Sequence, residues 1–287
     1  MSALRRKLVN QTILMNRRQR QIYWLKVDRR KRRFERKYIT EMGKALDLQV
    51  EPILEAAQLT GMENLADRVN NLVKTEPIQN SFFALYEEVG SWFSKQTITN
   101  LKKIKGLVTK EERTLVDDPE NYQSLWLSAI RDYVLTEAGG RIVTITDTSR
   151  REALKIINEI TEQAIAEGIG VNEASRLLQD RFPVEWRKRL WRAELIARTE
   201  VNTAANRGAS IGAEATGLPL RKMWVAAADG RERPSHRFAD GQVRLKGQPF
   251  DVGGVPMQEP GAAGAPAEEV CNCRCSVAYI SERLAGR

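Results

Sequence analysis

The sequence predicts an α+β protein that is predominantly α-helical, with a helical N-terminal region, further helices, and then a small irregular β-sheet with long loops. Two observations carry this. Up to about Thr216, apolar residues recur at three- and four-residue steps, whereas beyond Gly217 short strand-like pieces alternate with glycines and prolines. The chemistry is just as unevenly spread, because the single His and all 3 Cys fall between Met223 and Ile280.

A chain of 287 residues is long enough for one large or two ordinary domains and needs no staples to fold. The composition suggests three stretches: a basic helical arm over 1–45, a helical domain over 46–140, and a C-terminal domain over 141–287. Residues 1–45 hold 15 Lys/Arg against 3 Asp/Glu, a local +12, while the rest holds 31 against 34, a local −3. In the arm, Arg29, Arg30, Lys31, Arg32, Arg33, Arg36 and Lys37 are interleaved with Tyr23, Trp24, Phe34 and Tyr38. Clustered cations of this kind bind polyanions by releasing counterions, so these seven residues are the expected contacts to double-stranded DNA, without sequence preference. The plainer reading is a solvated helix face that aids solubility.

No apolar run approaches the roughly 18 residues of a membrane span, so no membrane-spanning segment is expected and the protein is predicted to be soluble. The apolar pieces behind Arg5-Arg6-Lys7 are broken by polar residues, unlike a secretory signal, which points to synthesis in the cytoplasm. Three cysteines within one pentapeptide are then reduced thiols or metal ligands rather than a disulfide framework.

In chain order, a helix is expected from about Leu4 to Lys37, too sparsely apolar to bury much alone and ordering on a partner. Moderate periodicity follows from Ile39 to Leu72, with Gly43 and Gly61 as interruptions. Pro77 opens an amphipathic helix carrying Ile78, Phe82, Leu85, Val89 and Trp92 to about Ile104. Asp118-Pro119 opens another, with Leu125, Trp126, Ala129, Ile130 and Tyr133, ending at Gly139-Gly140. Arg141 to Thr146 reads as a short strand or extended linker. Ser149 and Glu152 have capping-box spacing before a helix faced by Ala153, Ile156, Ile157, Ile160 and Ala164, stopped by Gly168 and Gly170. A brief helix over 172–181 precedes a long one opened by Pro183, whose small-residue stripe (Ala193, Ala197, Val201, Ala204) permits close approach of a neighbour. Met223 to Ala227 and Ser276 to Ile280 read as strands around a loop-rich Gly241 to Gly264.

The C-terminal constellation admits several chemistries. His236 with Cys271, Cys273 and Cys275 is compatible with a structural zinc ion. Alternate side chains of an extended strand lie roughly 6.5 to 7 Å apart, so the four-ligand version needs a bend at Asn272 or Arg274. The alternative is small buried cysteines and a His236 that hydrogen-bonds a carboxylate. Arg198, Glu200, Asp229, Arg231, Arg233 and Arg274 are expected to form a polar network that pins the loops. A metal-dependent nuclease would use Asp229, His236 and Asp240, with His236 as general base. Against catalysis stand the single histidine and the lack of a nucleophile elbow or phosphate-cradling glycine loop. A generic DNA-binding protein accounts for the arm and leaves the C-terminal constellation idle.

The order Ile196-Ala197-Arg198-Thr199-Glu200, with Asn202 and Asn206, then Trp224, Asp229-x-Arg231-x-Arg233-x-x-His236, Asp240-Gly241, a Pro-rich loop and Asn272-Cys273-Arg274-Cys275, resembles the phage Mu F-like family of phage head-morphogenesis, or minor head, proteins. The resemblance covers about residues 141 to 280, and the upstream helices match only in general plan. It implies a non-enzymatic component present in few copies in the virion, in the capsid interior near the portal vertex, acting in head assembly, DNA packaging or ejection. The implied partners are the portal protein, capsid or scaffolding proteins and incoming DNA, with no established cofactor. Cys271 is an extra thiol beside that pattern.

Overall fold

The computed structural model describes residues 15–62, 64–102, 119–189 and 191–281. It is mostly helical, with small C-terminal antiparallel sheets. The first helix, α1, runs Arg17–Thr60, then come α2 (Leu65–Leu72) and α3 (Glu76–Leu85). A π-helical turn, Tyr86–Gly90, leads into α4 (Ser91–Lys102), and then follow α5 (Pro119–Thr136), α6 (Gly139–Ala166), α7 (Val171–Arg187) and α8 (Trp191–Ala215). The C-terminal part holds β1 (Leu220–Val225), α9 (Pro234–Ala239), β2 (Val243–Leu245), β3 (Phe250–Val252), β4 (Val255–Met257), α10 (Ala267–Val270) and β5 (Ser276–Ser281). Among the described residues no helix is long and apolar enough to cross a membrane.

Two compact units interleave along the chain. One comprises Met1–Arg36, Ala84–Tyr133 and Arg198–Arg287, and the other Lys37–Phe83 and Val134–Ala197.

In the second unit, several sequence-derived boundaries give way to longer periodicities. The expected break at Gly43 is absent: buried Tyr38, Met42, Leu46, Gln49, Ile53 and Ala56 continue one stripe through it, and that burial outweighs the ~1 kcal/mol that a helical glycine costs. Gly61, at φ 72, does end α1. Arg141 to Thr146 is helix rather than strand. Ile142, Thr146, Ser149, Ala153, Ile156, Ile160 and Ala164 form one buried face of α6, so Gly139-Gly140 begins a helix there. Ser149 is consequently not a cap: its hydroxyl donates to Gln49 Oε1 at 2.9 Å, while Gln49 Nε2 donates to Thr146 Oγ1 and to the Lys74 carbonyl. Pro183 lies inside α7, because Ala174, Leu178, Phe182 and Trp186 keep one buried face across it.

In the first unit, β2-β1-β5 form an antiparallel sheet with β1 in the middle, pairing Met223 with Val243 and with Ala278. Both faces are covered. Leu220, Trp224, Val277 and Tyr279 join Phe250, Val252, Met257 and the α8 residues Ala209 and Ala213, while Met223, Val225 and Ile280 pack with Trp24 of α1. Burial on both faces explains why Met223 to Ala227, which begins in β1, reads as an unbroken apolar run. The small-residue face of α8 is used as its composition predicts. A Cβ added at Gly208 would lie 2.3 Å from the Gly90 carbonyl oxygen in the π-helical turn, and one at Gly212 would lie 2.6 Å from the Ser94 carbonyl oxygen.

The arm also departs from expectation. Residues before Met15 lie outside the described ones, but from Arg17 onward α1 is packed within this unit, buried at Trp24, Asp28, Lys31 and Phe34. Ile22 and Leu25 are exposed, and the buried stripe runs through Trp24 and Phe34 beside them.

Candidate functional site

The chemically distinctive residues gather where α1, α8, α9, α10 and the start of β5 meet. α8 supplies an inward polar face of Thr199, Glu200, Asn202, Thr203 and Asn206, all buried. Asn206 uses its amide fully. Nδ2 donates to the carbonyls of Asn202, Pro260 and Cys275 at 3.0 to 3.1 Å, and Oδ1 accepts from Val277 N at 3.0 Å. This side chain ties the Pro-rich loop and the first residues of β5 to one helix turn.

From α1, Arg20 donates through Nε and Nη2 to Asp240 Oδ2 at 3.0 and 2.8 Å. Tyr23 Oη donates to the Val277 carbonyl and Trp24 Nε1 to the Arg274 carbonyl, each at 2.9 Å. Lys31 is 2 % exposed, and its ammonium donates to Asn202 Oδ1 at 2.6 Å, Ser276 Oγ at 2.9 Å and the Cys275 carbonyl at 3.1 Å. Three donors meet three acceptors, which is how a buried ammonium is tolerated. Burial still pulls its pKa down to about 8, against the upward influence of Cys273, Cys275, Asp28 and Glu35.

Lys31 is therefore withdrawn from the solvent-facing charge that the sequence suggested for DNA. Arg29, Arg32, Arg33, Arg36 and Lys37 are exposed. Arg30 is half-buried, its guanidinium 4.3 Å from the Trp92 ring centroid and 4.9 Å from that of Phe34. Arg32 pairs with Asp28 at 2.6 Å.

His236 sits on α9, a short helix opened by Pro234, and is 1 % exposed. Its Nδ1 lies 3.3 Å from Cys275 Sγ and 3.7 Å from Cys273 Sγ, and its Nε2 lies 2.8 Å from Glu269 Oε2 on α10 without the alignment of a good hydrogen bond. Trp224 meets the imidazole edge-on at 5.5 Å and Phe250 at 5.4 Å. Ser235 also donates to Glu269 Oε2, at 2.9 Å. Burial opposes the charged imidazole, but the neighbouring Cys273 and Glu269 outweigh it and the pKa is raised. The two thiols titrate as a pair: Cys273 is drawn well down by hydrogen bonds from Cys275 and His236 against burial, and Cys275 is pushed well up by burial and by the negative charge beside it.

The bend that the four-ligand arrangement required is present at Asn272, φ 55, a left-handed position that asparagine tolerates. It has a different consequence from the one expected. Cys273 and Cys275 come together with His236, all three ligand atoms lying within 4.8 Å of one another, and Cys271 is not part of the cluster. Cys271 ends α10 on the other side of the turn, where its carbonyl accepts from Arg233 Nη2.

The proposed polar network divides into separate contacts. Asp229 accepts from both Nη1 and Nη2 of Arg274 and from the backbone and guanidinium of Arg231. Burial raises the Asp229 pKa, and these cations more than reverse it, leaving the carboxylate below its usual range. Glu200 accepts from Tyr86 Oη at 2.7 Å, and Arg198 lies near Glu35, whose raised pKa it moderates against burial. The nuclease set does not converge on one point. Asp229 is engaged with Arg274 and Arg231, Asp240 with Arg20 and the Ala226 amide, and His236 faces sulfur. Sequence reasoning missed Glu269 and the inward role of Lys31. The second was signalled by Trp24, Lys31, Phe34 and Tyr38 falling on one helical stripe.

A protein-family model described as "Phage Mu protein F like protein" matches residues 155–278, which include every strand-borne and loop-borne residue of this site. Minor head protein GP7 of Bacillus phage SPP1 is 34% identical over 143 residues, covering 48% of this chain and 46% of GP7. An NAD(+)--arginine ADP-ribosyltransferase, EFV, of Enterococcus faecalis (strain ATCC 700802 / V583) is 22% identical over 223 residues, covering 70% of this chain and 44% of that protein. The chain thus spans less than half the length of either relative. No solved structure matches the chain significantly.

Proposed function

We propose, from a chain whose residues 155–278 belong to the Phage Mu F-like family, that the protein is a minor head component of a phage particle and acts without catalysis. The observation that carries this reading is the 34% identity over 143 residues to a protein named minor head protein. The geometry is consistent with it, because the acid, base and thiol groups are turned inward on structural partners: Asp240 on Arg20, Asp229 on Arg274, His236 on sulfur.

In this reading the protein lies in the capsid interior close to the portal vertex, after assembly in the host cytoplasm. It contacts portal protein and capsid or scaffolding proteins, and helps in head assembly, DNA packaging or ejection. The exposed cations of α1 are its DNA-facing surface. Arg18, Lys26, Arg29, Arg32, Arg33 and Arg36 are all exposed and recur at helical spacing. From Arg18 to Arg36 they extend over roughly 27 Å of helix, enough to follow several phosphates of a duplex. A surface of this kind suits a packed head, where the neighbouring DNA has arbitrary sequence.

Two measurements test the reading. The protein should co-purify with procapsids, and cross-linking in them should join it to the portal protein; procapsids that contain none of it would refute the head role. Changing Arg29, Arg32, Arg33 and Arg36 to Gln should weaken duplex DNA binding and flatten its salt dependence by roughly 0.9 in log–log slope per contacting cation removed. Unchanged binding would remove the DNA-facing role of α1.

The transferase relative favours a second reading, in which the chain modifies arginine with NAD(+) as donor. Incubating the full chain with labelled NAD(+) and an arginine-bearing protein separates the two, since the head-component reading expects no transfer of label.

A further inference from the structure

We propose that His236, Cys273 and Cys275 form a zinc site, with Glu269 holding the imidazole from the outer side. A tetrahedral zinc ion with Zn–S about 2.3 Å and Zn–N about 2.05 Å sets N···S at about 3.5 Å and S···S at about 3.8 Å. His236 Nδ1 lies 3.3 and 3.7 Å from the two sulfurs, bracketing that value, and all three donor atoms lie within 4.8 Å of one another. The site already has the spacing of a coordination sphere, so binding requires only small side-chain adjustments.

Three further features point the same way. First, the ring faces both sulfurs with the same nitrogen. A neutral imidazole has one lone pair there and satisfies one S–H at a time, whereas a metal ion at the common centre uses the lone pair and both sulfurs together. Second, Glu269 Oε2 stands 2.8 Å from the opposite nitrogen, and Ser235 Oγ in turn donates to that oxygen. A carboxylate on the far nitrogen is the usual device for fixing the tautomer of a metal-binding histidine and raising its donor strength. Third, the site is walled off from solvent: His236, Cys273 and Cys275 are 1 to 2 % exposed, with Trp224 edge-on to the ring.

Soft thiolates with an imidazole select zinc over hard cations such as magnesium or calcium. The two thiols lose their protons on binding, and the two resulting negative charges balance the dication. Three protein donors leave the fourth position to water or another small donor. The ion would clip α9 to the turn that precedes β5, in a segment whose strands β2, β3 and β4 are each only three residues long.

The test uses the full-length chain produced in zinc-supplemented cells and purified without chelators. Elemental analysis should find about one zinc per chain in the wild type and in Cys271→Ser, and little or none in Cys273→Ser and Cys275→Ser, which each lack a ligand. Glu269→Gln should retain the site with affinity reduced about 10- to 100-fold. Replacing zinc by cobalt(II) should give thiolate-to-cobalt charge-transfer absorption and the strong visible bands of a tetrahedral centre. Should the serine variants not fold, stripping and refilling the wild-type protein replaces them, with added zinc expected to raise its unfolding temperature. A wild type that takes up no zinc, gives no thiolate–cobalt absorption or is not stabilised by zinc overturns the proposal, as does a Cys271→Ser variant that loses the metal as Cys273→Ser does.

Discussion

Replacing Gly208 by alanine should drive two backbones apart. The added methyl would lie 2.3 Å from the Gly90 carbonyl oxygen, 2.7 Å from its Cα and 2.8 Å from its carbonyl carbon. Each distance is roughly 1 Å short of ordinary contact, and every opposing atom belongs to backbone, so no side-chain rotation relieves the clash. Overpacking a well-filled site costs about 1 to 3 kcal/mol, here at the upper end, and the helical preference for Ala over Gly returns about 0.5 to 1 kcal/mol. The net expectation is a loss of about 2 kcal/mol. For a urea slope of about 2 kcal/mol per molar, that lowers the denaturation midpoint by about 1 M. Gly43→Ala is the matched control. It is also mid-helix, but its new methyl meets nothing within 4 Å, so the helix preference acts alone and stability should rise by about 0.5 to 1 kcal/mol. A Gly208→Ala midpoint equal to or above the wild-type value would refute the close approach of α8 to the π-helical turn.

Other perturbations follow from single residues. Asn206→Ala orphans the Val277 amide and the Pro260 carbonyl at once, at about 1 to 3 kcal/mol each, and should lower thermal stability far more than replacing an exposed cation of α1, as in Arg33→Ala. Lys222 is buried against Gln258, and burial draws its pKa from 10.5 down to about 8, with Glu259 and Glu214 acting upward. Between pH 8 and 10.5 the unfolded chain holds a proton that the folded chain has released, so this residue makes stability rise with pH across that window. The difference in urea midpoint between the wild type and Lys222→Met should therefore shift in the wild type's favour from pH 8 to pH 10; a pH-independent difference would contradict the shift.

The fold class, the amphipathic helices through Phe82 and Trp126, and the two long strands were legible because each depends on its own local period. The boundaries that failed depend on burial supplied by distant residues. Gly43, Gly139-Gly140 and Pro183 are strong local punctuation, yet each lies in or at the start of a helix whose apolar stripe continues past it. The candidate site was legible in residue type and not in partnership. Spacing marked His236 and the Cys273–Cys275 pair, but the exclusion of Cys271 follows from the left-handed turn at Asn272, and Glu269 joins only through α10. Lys31 misled for a related reason: a lysine inside a run of arginines reads as surface charge, while its position on the stripe with Trp24 and Phe34 places its ammonium against Asn202 and Ser276.

The head-component account is tested most directly by the protein content of procapsids purified from cells in which this chain is made from its own genome. The account predicts a few copies per particle, retained through purification and lost when the chain's gene is deleted. Particles that contain none of it, together with label transfer from NAD(+) by the isolated chain, would contradict it.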